Sequence, residues 1–222
     1  MIVRGSDSSA LAEYDVALPD EAPIAFTMGS PWGEGWRALA VSPRGDFVVY
    51  IANRGAGTQL WYRSLLNSDA HALPGTEGAY QTAIDPAGSS VAFISGTMLK
   101  VVAIAGGAVQ ELGRVTRSMG IAWHSGDEVV VTTDRLVQSF SLRGGTPRRI
   151  TTDVNCYNPV LSAPDDVLCG SGGEFAIIDL RDGKSRVLGD ARGSAAELAA
   201  DGYLFFSSPT GLLTAARWKP AD

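Results

Sequence analysis

Few side chains in this sequence could carry catalytic or metal-binding chemistry. His71 and His124 are its only histidines, and Cys156 and Cys169 are its only cysteines. A zinc site needs three or four convergent histidine, cysteine or carboxylate ligands, and no ligand spacing in the sequence supplies them. A catalytic serine of the Gly-x-Ser-x-Gly type needs a sharp turn, and the sequence contains no such motif. The sequence therefore predicts neither a catalytic residue nor a metal site, and we expect no cofactor.

Acidic residues occur as adjacent pairs at Asp20-Glu21, Asp127-Glu128 and Asp165-Asp166. Neighbouring residues in a strand point to opposite sides, so these pairs are poor candidates for acid–base catalysis. We interpret them as solvated turn residues. No Asp-x-Asp-x-Asp calcium loop is present.

Two cysteines are too few for a disulfide framework. Both fall near one predicted hairpin, whose turn is not expected to place them opposite each other. Because cysteine packs as a small apolar residue, the sequence favours free, half-buried thiols at Cys156 and Cys169.

A repeated pattern of short strands positions these residues. In residues 37–78, strands are predicted at 38–41, 47–52 and 59–65, with a fourth before Leu73, and Gly, Pro, Asn and Asp separate them. The pattern recurs in residues 79–117, 118–155, 156–194 and 195–220. Its first turns are marked by Pro43, Pro86, Ser125, Pro164 and Asp201, in steps of 43, 39, 39 and 37 residues.

Four strands repeated about every 40 residues are typical of a β-propeller blade. One sheet cannot bury both of its faces, whereas radially packed sheets cover each other, which explains middle strands that are apolar on both sides. We therefore predict one all-β domain over residues 1–222, a β-propeller with five four-stranded antiparallel blades. The fifth unit lacks an outer strand, and residues 1–36 are predicted to supply a closing strand, at 13–18 or 24–27, and a bridge. A partial ring or a six-bladed ring is the alternative.

The turns and strands resemble those of the TolB-like propeller repeats. The resemblance is closest to the propeller regions C-terminal to many bacterial serine/threonine protein kinases. It is carried by residues 39–45 (LAVSPRG), 48–50 (VVY), 59–61 (QLW), 73–80 (LPGTEGAY), 91–93 (VAF) and 105–107 (AGG), with 17–19 (ALP) as the entry strand. It implies a ligand-sensing or protein-interaction platform. The chain contains none of the kinase's own catalytic motifs.

Composition restricts the partners. The net charge of −6 argues against a nucleic-acid surface, which needs clustered Lys and Arg. No apolar run approaches the roughly 18 residues of a transmembrane helix, so no membrane insertion is expected. We expect a soluble segment, extracytoplasmic if it belongs to a membrane-anchored kinase.

First strands line the central channel of a propeller, so aromatic and titratable residues at their ends are the candidates for ligand binding. These are Trp36, Tyr80, Trp123, His124 and Tyr157. The sequence favours a non-catalytic binding module for a protein or a small molecule at the channel face. The alternative is a small propeller lyase or hydrolase at the channel mouth, which would gather at least three titratable groups. The first strands supply only Glu197 and His124, with Arg37 at a boundary. A structural fragment without any ligand is the third possibility.

Overall fold

The computed structural model describes residues 16–25, 38–55, 57–192, 196–198, 203–207 and 213–217. Within these ranges the regular structure consists of 19 strands without a helix, and none of the described residues forms a helix that could span a bilayer.

The strands form five sheets, each built from consecutive strands. The first sheet contains β1 (Leu39–Val41), β2 (Phe47–Arg54), β3 (Gly57–Ser64) and β4 (Ala70–Ala72). The second contains β5 (Ala79–Ile84), β6 (Ser90–Ser95), β7 (Met98–Ala103) and β8 (Gln110–Arg114). The third contains β9 (Gly120–Ser125), β10 (Glu128–Thr133), β11 (Leu136–Ser141) and β12 (Arg148–Thr151). The fourth contains β13 (Tyr157–Ala163), β14 (Asp166–Ser171), β15 (Glu174–Asp179) and β16 (Ser185–Arg192). The fifth contains β17 (Ala196–Leu198), β18 (Tyr203–Ser207) and β19 (Leu213–Arg217).

Each sheet is an antiparallel meander in which the first strand lies at one edge. The first strands β1, β5, β9, β13 and β17 contact one another in chain order. The sheets are therefore blades that pack side by side around their first strands, as the repeat predicts.

Both faces of a middle strand are buried because each face meets a different blade. Val91 and Phe93 of β6 pack with the first blade, whereas Ala92 and Ile94 pack with the third. Val130 of β10 likewise faces the fourth blade. The period-2 alternation of a strand thus distributes apolar side chains between two interfaces.

The turns after the first strands recur in detail. Gly45 and Gly88 both have positive φ, +70° and +72°, which favours glycine. The residue after the third strand donates its backbone N–H to a carbonyl in this turn in four blades: Leu65 to Asp46, Ile104 to Ser89, Leu142 to Asp127 and Leu180 to Asp165, at 2.7–2.8 Å. In these four blades, the bond connects the two turns that lie at the same end of the sheet.

Residues 16–25, called the strap below, lie against the first blade. Leu18, Ala22 and Ile24 pack on the face that points away from the second blade, whereas Ala25 belongs to the apolar cluster shared with the second blade. Ile24 forms an antiparallel bridge with Ala52, and the Tyr50 hydroxyl donates to the Ala22 carbonyl at 2.9 Å. Leu18 packs against the same apolar cluster, which includes Trp61. Within the described residues, the N-terminal segment therefore pairs with the first blade. The remainder of both strand candidates in residues 1–36 lies outside the described residues, and pairing with the fifth unit stays a prediction.

The expectation of free thiols is wrong. Cys156 and Cys169 form a disulfide with a Cα–Cα distance of 5.2 Å, buried between the third and fourth blades. The pairing of β13 with β14 shifts register between Tyr157 and Val160, where Asn158 has a φ of +49°. This bulge brings together two cysteines that a regular hairpin would leave out of register.

Candidate functional site

The two ends of the first strands offer different surroundings. We call the start of each first strand the entry end and its turn into the second strand the exit end. Because β1, β5, β9 and β13 contact each other in order, their equivalent residues lie side by side along one channel wall at each end.

A cavity of about 360 Å³ lies at the exit end. Four first strands and the residues beside them contribute only apolar side chains to it: Ala40, Val41, Ala83, Ile84, Pro86, Ala122, Trp123, Pro159, Val160 and Leu161. We call it the channel cavity. Since a first strand is a sheet edge, it also presents backbone N–H and C=O groups on the side away from its neighbour. The channel cavity therefore combines apolar side chains with polar groups from the backbone.

A second, much smaller cavity lies nearer the entry end. Its volume of about 10 Å³ is roughly that of one water molecule. It is lined by Gln81, Thr82, Gly120, Ile121 and Asn158. The Thr82 hydroxyl is buried and has no hydrogen-bond partner within the described part of the chain.

Trp123 lies mainly in the core between the second and third blades. It is 5% exposed, and its indole Nε1–H donates to the Ala83 carbonyl at 2.9 Å. The remaining exposed edge contributes to the wall of the channel cavity. Trp123 thus fixes β9 against β5 at the cavity.

His124 follows Trp123 and connects two blades. Its Nδ1 lies 2.5 Å from Glu128 Oε2 on β10, and its Nε2 lies 2.6 Å from the Pro164 carbonyl oxygen in the β13–β14 turn. Asp165 Oδ1 is 3.7 Å from Nε2. The other Glu128 oxygen accepts a hydrogen bond from Ser139. His124 is therefore held between a carboxylate of its own blade and a carbonyl of the next.

Several contacts determine the charge state of Glu128. Burial alone would raise the pKa of this carboxyl, but the hydrogen bonds from Ser139 and His124 outweigh burial, so the pKa of Glu128 lies below its usual value. The charges of His124 and Arg148 act in the same direction. Glu128 thus faces His124 Nδ1 as a carboxylate, which accepts hydrogen bonds.

The other predicted residues lie elsewhere. Tyr80, on β5, and Tyr157, the first residue of β13, are at the entry end. The Tyr80 hydroxyl donates to the Gly96 carbonyl at 3.3 Å, and burial raises the pKa of Tyr80. Trp36 lies outside the described residues. The structure brings Trp123 and His124 together at the exit end and places the two tyrosines at the opposite end.

Sequence reasoning missed most of the cavity wall, including Val41, Ile84, Val160 and Leu161. A signal for them exists in the repeat. In three blades the two residues before the first turn belong to the wall or adjoin it: Ala40-Val41, Ala83-Ile84 and Trp123-His124. Alignment of the repeats by their turns would have found these positions.

Within the described residues, no group of three histidine, cysteine or acidic side chains is placed to hold a metal ion. The two histidines are far apart in the fold, since His71 lies on β4 at the outer edge of the first blade.

No protein-family model matches the sequence, and no curated protein matches it. Solved structures do match. TolB from Acinetobacter baumannii superposes with a TM-score of 0.67 at 14% identity, covering 82% of this chain and 51% of that chain. This chain therefore spans about half the length of the TolB structure. A chain of a nidogen/laminin complex matches with a TM-score of 0.64 at 13% identity, covering 88% and 84%.

The β-propeller domain of Cps50 (Swd1) from Myceliophteria thermophila also matches, with a TM-score of 0.64 at 14% identity, covering 83% of this chain and 68% of that one. Similarity at such identities shows the fold alone. The similarity in fold agrees with the TolB-like turns and strands in the sequence. None of these three structures links the chain to a kinase. The chain has the β-propeller fold, in blades of four antiparallel strands.

Proposed function

We propose that this propeller is a non-catalytic binding module whose channel cavity receives an apolar small molecule or an apolar segment of a protein partner. The observation that carries the proposal is the composition of the cavity wall. All ten side chains that line about 360 Å³ are apolar. Binding sites of roughly 300–1,000 Å³ are typically apolar with a few polar groups, and here the backbone edges of the first strands supply those groups.

Val41 is the residue that best tests this site. It lies in the cavity wall and is 54% exposed, so a longer polar side chain can replace it without disturbing the core. We expect Val41→Glu to weaken binding of the aromatic, anionic dye anilinonaphthalene sulfonate at least tenfold, because the carboxylate interrupts the apolar wall and repels the sulfonate of the dye.

Leu66 provides the matched control. It is 79% exposed but lies in the β3–β4 turn, outside the cavity wall. Leu66→Glu should leave the dye affinity unchanged. Equal affinities for wild type, Val41→Glu and Leu66→Glu would contradict binding at the channel cavity.

The finer proposal is that the module is the extracytoplasmic sensor region of a signalling kinase. The buried Cys156–Cys169 disulfide supports an oxidising compartment, because disulfides rarely persist in the cytosol. Alkylation of the protein in its native cells tests the compartment. We expect both cysteines to react only after reduction and denaturation, whereas reaction after denaturation alone would contradict it.

The enzymatic alternative, a lyase or hydrolase at the channel mouth, has less support. A general base needs a ring nitrogen that can reach the substrate. Both ring nitrogens of His124 already face acceptors at 2.5 and 2.6 Å, one of them a backbone carbonyl that cannot act as a nucleophile.

A further inference from the structure

His124 faces hydrogen-bond acceptors on both sides of its ring. Nδ1 faces the Glu128 carboxylate, and Nε2 faces the Pro164 carbonyl. A carbonyl oxygen has no hydrogen to give, and a neutral imidazole carries only one N–H. Only the doubly protonated ring can donate both bonds.

We propose that His124 is a protonation-dependent latch between the third and fourth blades. The charged ring donates one bond within its own blade and one to the β13–β14 turn of the next. When the ring loses a proton, the remaining N–H is held at Nδ1 by the stronger, charged acceptor Glu128. The lone pair of Nε2 then faces the lone pairs of the Pro164 carbonyl, and the contact between the blades is lost.

Two carboxylates lie close to the His124 ring. Glu128 on β10 contacts Nδ1, and Asp165 in the turn lies 3.7 Å from Nε2. Two cations act on these carboxylates: Arg148 on β12, whose charge acts on Glu128, and Arg181 after β15, whose charge interacts with Asp165. Ser139 on β11 is uncharged and donates to Glu128. The ring is 14% exposed, and an acceptor faces each of its two nitrogens.

The latch joins two walls of the channel cavity. Trp123, beside His124, lines the cavity from the third blade, and Leu161 lines it from the fourth. Since Pro164 lies three residues after Leu161 in the chain, release of the turn loosens the wall of the fourth blade. Resting on the proposed function, this predicts weaker binding at the channel cavity as the ring loses its proton.

The sign of the pH dependence follows from linkage. Both bonds can be donated only while the ring carries both protons, so the contribution of the latch is present in acid and disappears as the ring is deprotonated. At low pH, protonation of Glu128 removes the charged acceptor and also ends the stabilisation by the latch. Because the pKa of Glu128 is lowered, this loss occurs at a lower pH than for an ordinary glutamate. The latch therefore operates between protonation of Glu128 and deprotonation of His124.

Amide hydrogen exchange in the wild-type protein tests the latch directly. The Leu180 N–H donates to the Asp165 carbonyl at 2.7 Å, and the Ile104 N–H makes the equivalent bond to Ser89 in the second blade at 2.8 Å. The measurement compares about pH 5.5 with about pH 8.5, which lie on either side of the ordinary histidine pKa of about 6.5. The ratio of the protection factor of Leu180 to that of Ile104 should fall roughly tenfold between the two pH values, because one hydrogen bond to a charged group contributes about that much. An unchanged ratio overturns the proposal.

Two variants and a spectroscopic measurement complete the test. In His124→Gln the ratio of Leu180 to Ile104 protection should be low at both pH values. His71→Gln, which alters the other histidine, should behave as wild type. Nitrogen NMR of the wild-type ring should show both ring nitrogens of His124 protonated at the acid pH, and a single N–H there would overturn the latch even if His124→Gln failed to fold. None of these measurements uses a ligand, so they are independent of the dye-binding test of the channel cavity.

Discussion

Thr76 and Thr82 are both buried, with exposed fractions of 0% and 1%, but their hydroxyls are bonded differently. The Thr76 hydroxyl donates to the Leu73 carbonyl at 2.6 Å and accepts from the Leu60 N–H at 3.1 Å. The Thr82 hydroxyl has no partner among the described residues. The same substitution at the two positions should therefore have opposite effects.

We expect Thr76→Val to lower the free energy of unfolding by about 1–3 kcal/mol, because it leaves the buried Leu60 N–H without a partner and leaves the Leu73 carbonyl with only its bond from Gln59. Thr82→Val should be neutral or stabilising, because it removes a hydroxyl that is buried without a bond. Urea unfolding followed by tryptophan fluorescence measures both. A comparable loss for Thr82→Val would contradict this and would indicate a bound water in the adjoining small cavity.

The Tyr50 hydroxyl joins the strap to the first blade through the Ala22 carbonyl. Burial, followed by the charge of Glu21, raises the pKa of Tyr50 to about 12. The folded state thus favours the neutral phenol, whose contribution is complete below the ordinary tyrosine pKa of about 10 and disappears as pH rises through about 12.

Tyr50→Phe should cost about 0.5–1.5 kcal/mol near neutral pH, the net value of one hydrogen bond. The difference from wild type should stay constant up to about pH 10 and then shrink. Urea unfolding across this range measures it. A difference that grows in alkali would contradict the predicted sign.

At the scale of the strands, the disulfide shows what the sequence could not reveal. The strands and turns of the fourth blade follow from alternation and turn residues. The pairing of Cys156 with Cys169 depends on the bulge at Asn158, and an irregularity of one residue has no signature in the hydrophobic pattern. The strap is similar, since its position on the first blade depends on contacts between residues far apart in the chain.

We expect the double variant Cys156→Ala/Cys169→Ala to lose about 3 kcal/mol of stability, the chain-entropy value for a loop of this size. The two alanines leave no unpaired thiol between the third and fourth blades. A reducing agent should lower the urea midpoint of the wild type and leave that of the double variant unchanged. An equal response of both proteins to reduction would contradict a stabilising disulfide.

At the scale of the molecule, the fold could be predicted because the same pattern of strands and turns occurs in each repeat. Four strands and a turn at Pro43 and Pro86 specify a blade, and blades with two apolar faces must pack against each other. The channel cavity and the His124 contacts arise only where separate blades meet. Pro164 and Glu128 lie on either side of His124 because the third and fourth blades pack in one particular way, and no local pattern encodes that arrangement.

One contact between blades does recur with the repeat. Gln110, the first residue of β8, donates to the Leu142 carbonyl of the next blade at 2.6 Å. Arg148, the first residue of β12, donates to the Leu180 carbonyl at 2.7 Å. The donors and the acceptors occupy equivalent positions in successive repeats. One bond connects the second and third blades, and the other connects the third and fourth blades.

If each blade is stabilised only by its immediate neighbours, losses at different junctions should add. We expect Gln110→Met to cost about 0.5–1.5 kcal/mol and Arg148→Met, which removes a bond from a charged group, to cost about 1.5–3 kcal/mol. Methionine keeps an apolar side chain of similar length but donates no bond. The double variant should equal the sum of the two within about 0.5 kcal/mol in urea unfolding. A larger deviation would mean that the third blade transmits strain between its two junctions, and the blades would then have to be treated as one cooperative ring.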